Sequence, residues 1–84
     1  MKYKVQIVSA AEKEMDKLPT LAHARISRRI ILREDNPRPR SAKKLRGQEE
    51  YRIRVGDYRV LYTIDDHSYL VTIFAVGHRR EVYR

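Results

Sequence analysis

The sequence contains no cysteine and no tryptophan, and only three glycines, three prolines and one phenylalanine among its 84 residues. Without cysteine there is no disulfide, no thiolate nucleophile and no sulfur ligand for a metal. The three histidines (His23, His67 and His78) are scattered, so no metal site and no cofactor is expected. There is no glycine-rich phosphate loop, no nucleophile triad and no paired-carboxylate site. No apolar run is long enough to span a membrane. The N-terminal Met1-Lys2-Tyr3-Lys4-Val5 lacks the apolar core of a signal peptide, so a cytoplasmic location with no membrane partner is expected. No internal repeat or low-complexity tract occurs. A chain of this length supports one small domain, taken as residues 1–84, with a single core and a narrow stability margin.

Acidic residues are also in short supply. Nineteen Lys and Arg stand against eleven Asp and Glu, a net charge of +8. The excess is concentrated between residues 21 and 46. Arg25, Arg28, Arg29, Arg33, Arg38, Arg40, Lys43, Lys44 and Arg46 there face only Glu34 and Asp35. A stripe of one sign points to a polyanionic partner, nucleic acid above all, or to an acidic protein. The alternative is a basic surface that only keeps the protein in solution.

The central stretch runs from Tyr51 to Tyr62. Tyr51, Ile53 and Val55 alternate with Arg52 and Arg54, the period-two pattern of a half-buried strand. Gly56-Asp57 suits a two-residue hairpin turn, since glycine tolerates the positive φ that such turns need. Counting outward from that turn pairs Val55 with Tyr58, Arg54 with Arg59, Ile53 with Val60 and Arg52 with Leu61. Three arginines then share one face, two of them directly opposed. Opposed like charges weaken a sheet, and an anion held between them would relieve the repulsion. A solvated basic face is the plainer account.

The remaining elements follow from pattern and punctuation. Residues Tyr3 to Val8 alternate as a first strand. Ser9 with Glu12 forms a capping-box pattern, and a helix is predicted from about Ala10 to Leu18, ended by Pro19. Thr20 is the expected cap of a second helix with Leu21, Ala24, Ile26, Ile30 and Ile31 on one side and Arg25, Arg28, Arg29 and Arg33 on the rest. Asn36-Pro37-Arg38-Pro39 stops it. Residues Pro37 to Glu50 are expected to be irregular. A turn at Asp65–Ser68 leads into a strand from Tyr69 to Val76, which Gly77 would break. A symmetric turn would set Arg59 opposite Phe74 and Leu61 opposite Thr72. The Arg face would continue as Thr63, Thr72 and Phe74, and the other face as Val60, Tyr62, Ile64, Val71, Ile73 and Ala75. Tyr58, Tyr62 and Tyr69 fall on that second face. The result is an α+β domain of order β-α-α-β-β-β, with two helices on one face of an antiparallel-rich sheet and the other face open.

An open basic face suits RNA. Arginine forks grip phosphate bidentately, and aromatic or guanidinium planes stack on unpaired bases. RNA carries its own nucleophile, the 2′-OH, so a protein need only orient the chain, stabilise the phosphorane and move protons. Arginine is a poor general base because it is nearly always protonated.

Four segments carry a family resemblance. They are Lys44-Leu45-Arg46-Gly47, Tyr51-Arg52-Ile53-Arg54, Tyr58-Arg59-Val60-Leu61-Tyr62, and Val76-Gly77-His78-Arg79-Arg80-Glu81-Val82-Tyr83. In this order and spacing they resemble the RelE branch of the RelE/ParE superfamily, toxins of bacterial and archaeal type II toxin–antitoxin pairs, over nearly the whole chain. The resemblance implies a microbial-RNase-like fold and a ribosome-dependent, metal-independent endoribonuclease that cleaves mRNA in the A site. It implies an acidic RelB-like antitoxin as protein partner, in a hetro-oligomeric complex, with mRNA and the ribosome as targets. By carry-over, Arg52 and Arg54 would hold the scissile phosphate and assist 2′-OH deprotonation, and Arg59 would stabilise the transition state. Arg79 would act as leaving-group acid or phosphate clamp, and Tyr83 would stack on or orient the base. Lys43, Lys44, Arg46, Arg80, His78, Arg28 and Arg29 are the expected further RNA or ribosome contacts. Strand parity counted from the residues sets Arg80, not Arg79, on the Arg54/Arg59 face unless Gly77 breaks the count.

Two features depart from the family pattern. The best-known members carry lysine where this chain has Arg52 and Arg54, which removes lysine as a candidate base. The sequence also stops one residue after Tyr83, without the C-terminal helix that some relatives carry. Two other functions remain open at this point. One is a ParE-like, non-enzymatic inhibitor of DNA gyrase. The other is a catalytically weak RNA- or antitoxin-binding module.

Overall fold

The computed structural model describes residues 2–45 and 50–78. Five strands form one sheet in the order β1-β5-β4-β3-β2: β1 (Lys4–Ile7), β2 (Lys43–Lys44), β3 (Glu50–Val55), β4 (Tyr58–Asp65) and β5 (Leu70–His78). β1 pairs with β5 in parallel and every other pair is antiparallel. Two helices, α1 (Ser9–Asp16) and α2 (Thr20–Ile31), lie on one face, and a 3₁₀ turn at Leu32–Glu34 extends α2. The expected order of elements holds, with one addition. Lys43–Lys44, within a stretch expected to be irregular, pairs with Arg52 and Tyr51 as a two-residue edge strand.

The core is the period-two set of three strands against a narrow stripe from each helix. Tyr51, Ile53 and Val55 of β3, Val60, Tyr62 and Ile64 of β4, and Val71, Ile73 and Val76 of β5 pack on Ala11 and Met15 of α1 and on Ile26 and Ile30 of α2. Each fully buried large aliphatic side chain contributes on the order of 1.5–3 kcal/mol.

Both helix starts differ from expectation. Val8, extended at φ −68° and ψ 154°, precedes α1, and Ser9 is already helical with no side-chain cap. The Val8 N–H is still held by the Ile73 carbonyl at 3.0 Å, while the Val8 carbonyl already accepts the Glu12 N–H at 3.0 Å. The chain therefore passes from sheet to helix with no residue to spare for a polar cap. Pro19 likewise takes the cap position of α2 in place of Thr20. On α2 only Ile26 and Ile30 are buried, whereas Leu21, Ala24 and Ile31 are exposed. Arg33, expected on the basic face, is instead only 4% exposed. Burial pushes its pKa down, an effect that the neighbouring Tyr62 opposes. The Tyr62 hydroxyl donates to the Pro37 carbonyl at 2.7 Å.

The β3–β4 hairpin has the counted register throughout: Val55 with Tyr58, Arg54 with Arg59, Ile53 with Val60, Arg52 with Leu61. Gly56 sits at φ 62°, the positive value that the turn requires. The β4–β5 pairing does not have the symmetric register. Leu61 pairs with Ala75 and Tyr62 with Ile73, which leaves Phe74 as the extra residue of a β-bulge. The bulge re-phases β5. Beyond it Val76, not Ala75, enters the core, and Gly77, not Phe74, stands opposite Arg59. The strand also continues through Gly77 to His78. At its other end it begins at Leu70, because Tyr69 belongs to the turn at φ 51°. Asp65 Oδ1 accepts the His67 and Ser68 N–H groups to close that turn. Tyr69, expected on the helix-covered face, is 44% exposed and stacks edge-on against Tyr3.

Candidate nucleic-acid interface

The face of the sheet away from the helices carries the candidate site. Alternation along β3 puts Glu50, Arg52 and Arg54 on this face, opposite in parity to the buried Tyr51, Ile53 and Val55. In one row across the sheet, Lys43, Arg52, Leu61 and Ala75 are successive partners. In the next row, toward the hairpin turn, Arg54, Arg59 and Gly77 are partners. Four cations thus occupy adjacent positions: Lys43 and Arg54 exposed, Arg52 and Arg59 half-buried. Gly77 adds no side chain beside Arg59, so the floor of this row is bare backbone. A phosphate can approach such a floor closely while guanidinium forks reach it from either side.

The charge is confined to one end of the face. Toward the far end the rows become neutral, with Thr63 opposite Thr72 and the Gln6 amide donating to the Thr72 hydroxyl at 2.9 Å. Leu61 lies between the arginine rows and is 7% exposed. It is absent from the helix-side core, so its burial is on the open side.

The other expected contacts divide. Lys43 joins Arg52, Arg54 and Arg59. Lys44 pairs with the buried Tyr51 and so has the opposite parity. Arg28 and Arg29 sit on α2, behind the sheet. His78 pairs with Tyr58, with rings edge-to-face at 6.1 Å, and so lies on the helix-covered side instead of beside Arg54 and Arg59. Phe74 occupies the bulge. Arg46, Arg79, Arg80 and Tyr83 lie outside the described residues.

Two features were missed in the sequence. The first is Glu50, a half-buried carboxylate on the same face as Arg52, found by counting back two residues along the strand. Asp65 has the same parity at the far end of β4, but its Oδ1 serves the turn. The second is a polar clamp at that far end. Arg38 donates to both oxygens of Asp66, at 3.2 and 2.8 Å, and its Nε donates to the Tyr51 hydroxyl at 3.0 Å. The Arg38 guanidinium also lies 5.3 Å from the centre of the Tyr51 ring. Tyr3 donates its hydroxyl to Asp66. The hydrogen bonds to Asp66 raise the Arg38 pKa, and those from Arg38 and Tyr3 lower that of Asp66. Arg38, counted in the basic stripe, is therefore neutralised within the chain. No sequence signal links residues 3, 38, 51 and 66; only the fold does. Among the described residues no cluster of three or more His, Asp or Glu could hold a metal ion, and no helix is long and apolar enough to cross a membrane.

Residues 5–83 match the family model described as the ParE toxin of the type II toxin–antitoxin system parDE. The chain is 33% identical to the toxin RelG of Mycobacterium tuberculosis over 86 aligned positions, covering 100% of this chain and 99% of that protein. Its fold superposes with a TM-score of 0.84 on a chain of the RelBE2 toxin–antitoxin complex of the same organism, at 32% identity, covering 94% of this chain and 100% of the other. A chain of the archaeal RelE–RelB complex of Pyrococcus horikoshii gives a TM-score of 0.85 at 30% identity, covering 98% and 100%. The family model bears the ParE name, whereas these relatives bear Rel names and match at full length. The two-helix, open-sheet architecture thus has its counterparts among toxins, and this chain belongs to the RelE branch of the RelE/ParE superfamily of type II toxin–antitoxin toxins.

Proposed function

We propose that this toxin is an endoribonuclease that cleaves mRNA in the ribosomal A site and so stops translation. The observation that carries the reading is the directly opposed Arg54–Arg59 pair, flanked by Arg52 and Lys43 on the open face. Four cations brought together at adjacent positions of two rows make an anion site, and a phosphodiester fits it. The attacking group is the 2′-OH of the nucleotide before the scissile bond. Its oxygen bonds to phosphorus, the 5′-oxygen of the next nucleotide leaves, and a 2′,3′-cyclic phosphate and a 5′-OH result. Arg54, Arg59 and Arg52 stabilise the charge that builds on the phosphoryl oxygens.

The proton on the 2′-OH needs an acceptor that arginine cannot provide. Glu50 is the carboxylate on this face whose strand position adjoins Arg52, and it takes that role in this reading. Arg79 and Tyr83, outside the described residues, are carried as leaving-group acid and base-orienting ring on the resemblance alone. An acidic antitoxin that covers the basic face would silence the toxin. The solved relatives captured as toxin–antitoxin complexes support such a partner.

The test is to add the purified chain to translating ribosomes and map mRNA 5′ ends. New ends within the A-site codon are expected from the wild type. Arg54→Ala and Arg59→Ala should each reduce them at least a hundredfold. Glu50→Gln should lower the rate. The name of the matching family model favours a second reading, non-enzymatic inhibition of DNA gyrase. Intact mRNA together with lost gyrase supercoiling would establish it instead.

A further inference from the structure

β5 changes its surroundings halfway along. As far as Ile73 it lies between two strands: β1 pairs with Leu70 to Ile73, and the Val8 N–H makes the last bond, to the Ile73 carbonyl at 3.0 Å. The chain then leaves the sheet for α1. The rest of β5 has β4 on one side and, among the described residues, no strand on the other. The bulge at Phe74 interrupts the β4 ladder at the same place. Two losses of support thus coincide just before the segment that carries Gly77 opposite Arg59. That segment is nevertheless held. On the side that β1 has vacated, the Val76 N–H donates to Glu14 Oε1 at 2.9 Å, and Glu14 is a half-buried residue in the second turn of α1. Val76 is 1% exposed with its side chain in the core, so water is a poor substitute for this acceptor. Antiparallel partners alternate between pairs that exchange backbone hydrogen bonds and pairs that do not. With the Val76 N–H turned away from β4, Val76 and Val60 are a pair of the second kind. The next pair, Gly77 with Arg59, is then the one that exchanges bonds.

We propose that Glu14 is a positioning residue for the cationic site. It pins the end of β5 past the bulge, fixes Gly77 against Arg59, and so sets where the Arg59 guanidinium meets a phosphate, without itself touching RNA. The proposal rests on the endoribonuclease reading for the reaction that Arg59 serves. Glu14 works from the helix-covered side, where it lines a cleft of about 520 Å³ with Tyr58, Gly77 and His78. A carboxylate suits the task, because a backbone N–H bonds a charged acceptor more strongly than a neutral one. Lys17 lines the same cleft three residues further along the chain and offers a plainer account, in which Glu14 is half of a solvated ion pair on α1. Such a pair asks nothing of β5, whereas the bond to Val76 ties the helix to the strand one residue from the site. A misplacement of about 1 Å in a reacting group costs on the order of a hundredfold in rate, so even a small release of this strand end is a measurable event.

The test compares Glu14→Ala, which removes the acceptor, with Glu14→Gln, which keeps a carbonyl oxygen there and loses the charge. Glu12→Ala removes the same charge from an exposed position on the same helix. The substrate is a ribosome programmed with a short mRNA. Glu14→Ala should lower kcat at least tenfold with KM within twofold of wild type. Glu14→Gln should recover kcat to within threefold, and Glu12→Ala should match the wild type. Amide hydrogen exchange needs no activity: in Glu14→Ala, Val76 and Gly77 should exchange at least tenfold faster while Ile53 and Val60 are unchanged. Where Glu14→Ala is too unstable to purify, Glu14→Asp takes its place. It keeps the charge but falls one methylene short of Val76, and the same losses are expected of it. A lower thermal midpoint with kcat per folded molecule unchanged would make the bond a matter of stability alone and overturn the proposal. So would a Glu14→Gln as slow as Glu14→Ala, or an equal loss from Glu12→Ala, which would trace the effect to net charge. A wild type that leaves the mRNA intact would overturn the endoribonuclease reading instead, and exchange at Val76 and Gly77 would still decide whether Glu14 pins the strand.

Discussion

On one side of the β3–β4 hairpin Ile53 and Val60 are completely buried against the helices; on the other side, one residue along each strand, the exposed Arg54 stands opposite the half-buried Arg59. The same backbone hydrogen bonds serve both faces, yet the two are built on opposite rules. The covered face removes apolar area from water and holds the fold together. The open face collects like charge, which works against the sheet that carries it. The covered face has to be strong enough to hold that repulsion in register. A site of this kind can be organised before any ligand arrives, because the strand positions of its cations are fixed by the core on the other side of the sheet.

The sharpest way to break the comparison is to cut each face in turn. Ile53→Ala should lower the unfolding free energy by about 2–5 kcal/mol in a denaturant titration, the range for deleting a fully buried branched side chain. Its neighbour in sequence, Arg54→Ala, should abolish RNA cleavage and yet leave stability within about 0.5 kcal/mol of wild type, or slightly above it. A large loss of stability from Arg54→Ala would mean that the open face is structural after all.

A smaller effect probes the far end of the covered face. Tyr62→Phe removes the hydroxyl that donates to the Pro37 carbonyl and leaves the ring in place, so a loss of about 1 kcal/mol is expected. The smallest effect concerns the surface clamp around Asp66. Hydrogen bonds from Arg38 and Tyr3 hold its carboxyl below the ordinary aspartate value. A carboxyl whose pKa is lowered by folding stabilises the folded state above its unfolded value, near 4, and loses that contribution as pH falls through its folded value. The thermal midpoint should therefore drop on acidification below about pH 4, and Asp66→Asn should make that drop shallower. If the variant melts with the same acid dependence as wild type, the clamp contributes nothing in solution.

The sequence made the hairpin legible because two short-range signals agreed there, period-two alternation and a Gly-Asp turn. The register of Arg54 against Arg59 needed nothing more. The β4–β5 register was not legible, because the bulge at Phe74 obeys no local rule and a symmetric turn was the simplest count. Every position past it on β5 was therefore assigned to the wrong face. The α2 pattern misled for another reason. Leu21 and Ile31 are apolar at helical spacing, yet the narrow groove above the sheet admits only Ile26 and Ile30. Arg33 and Arg38 look like free surface charge in a basic stripe. One is buried beside Tyr62 and the other is tied to Asp66, and both contacts join residues far apart in the chain.

The bulge at Phe74 has a practical consequence for anyone who edits this domain. It works as a phase marker: upstream of it odd-numbered residues of β5 point inward, downstream of it even-numbered ones do. Removing Phe74 would make Ile73 and Ala75 consecutive opposite Tyr62 and Leu61, so the strand would pair without a bulge and keep Val76 inward and Gly77 opposite Arg59. A single residue inserted between Ala75 and Val76 should be far more damaging than a substitution or a gap at position 74, because it would turn Val76 out of the core, and a variant library with that pattern would be the fingerprint of a strand held by its phase.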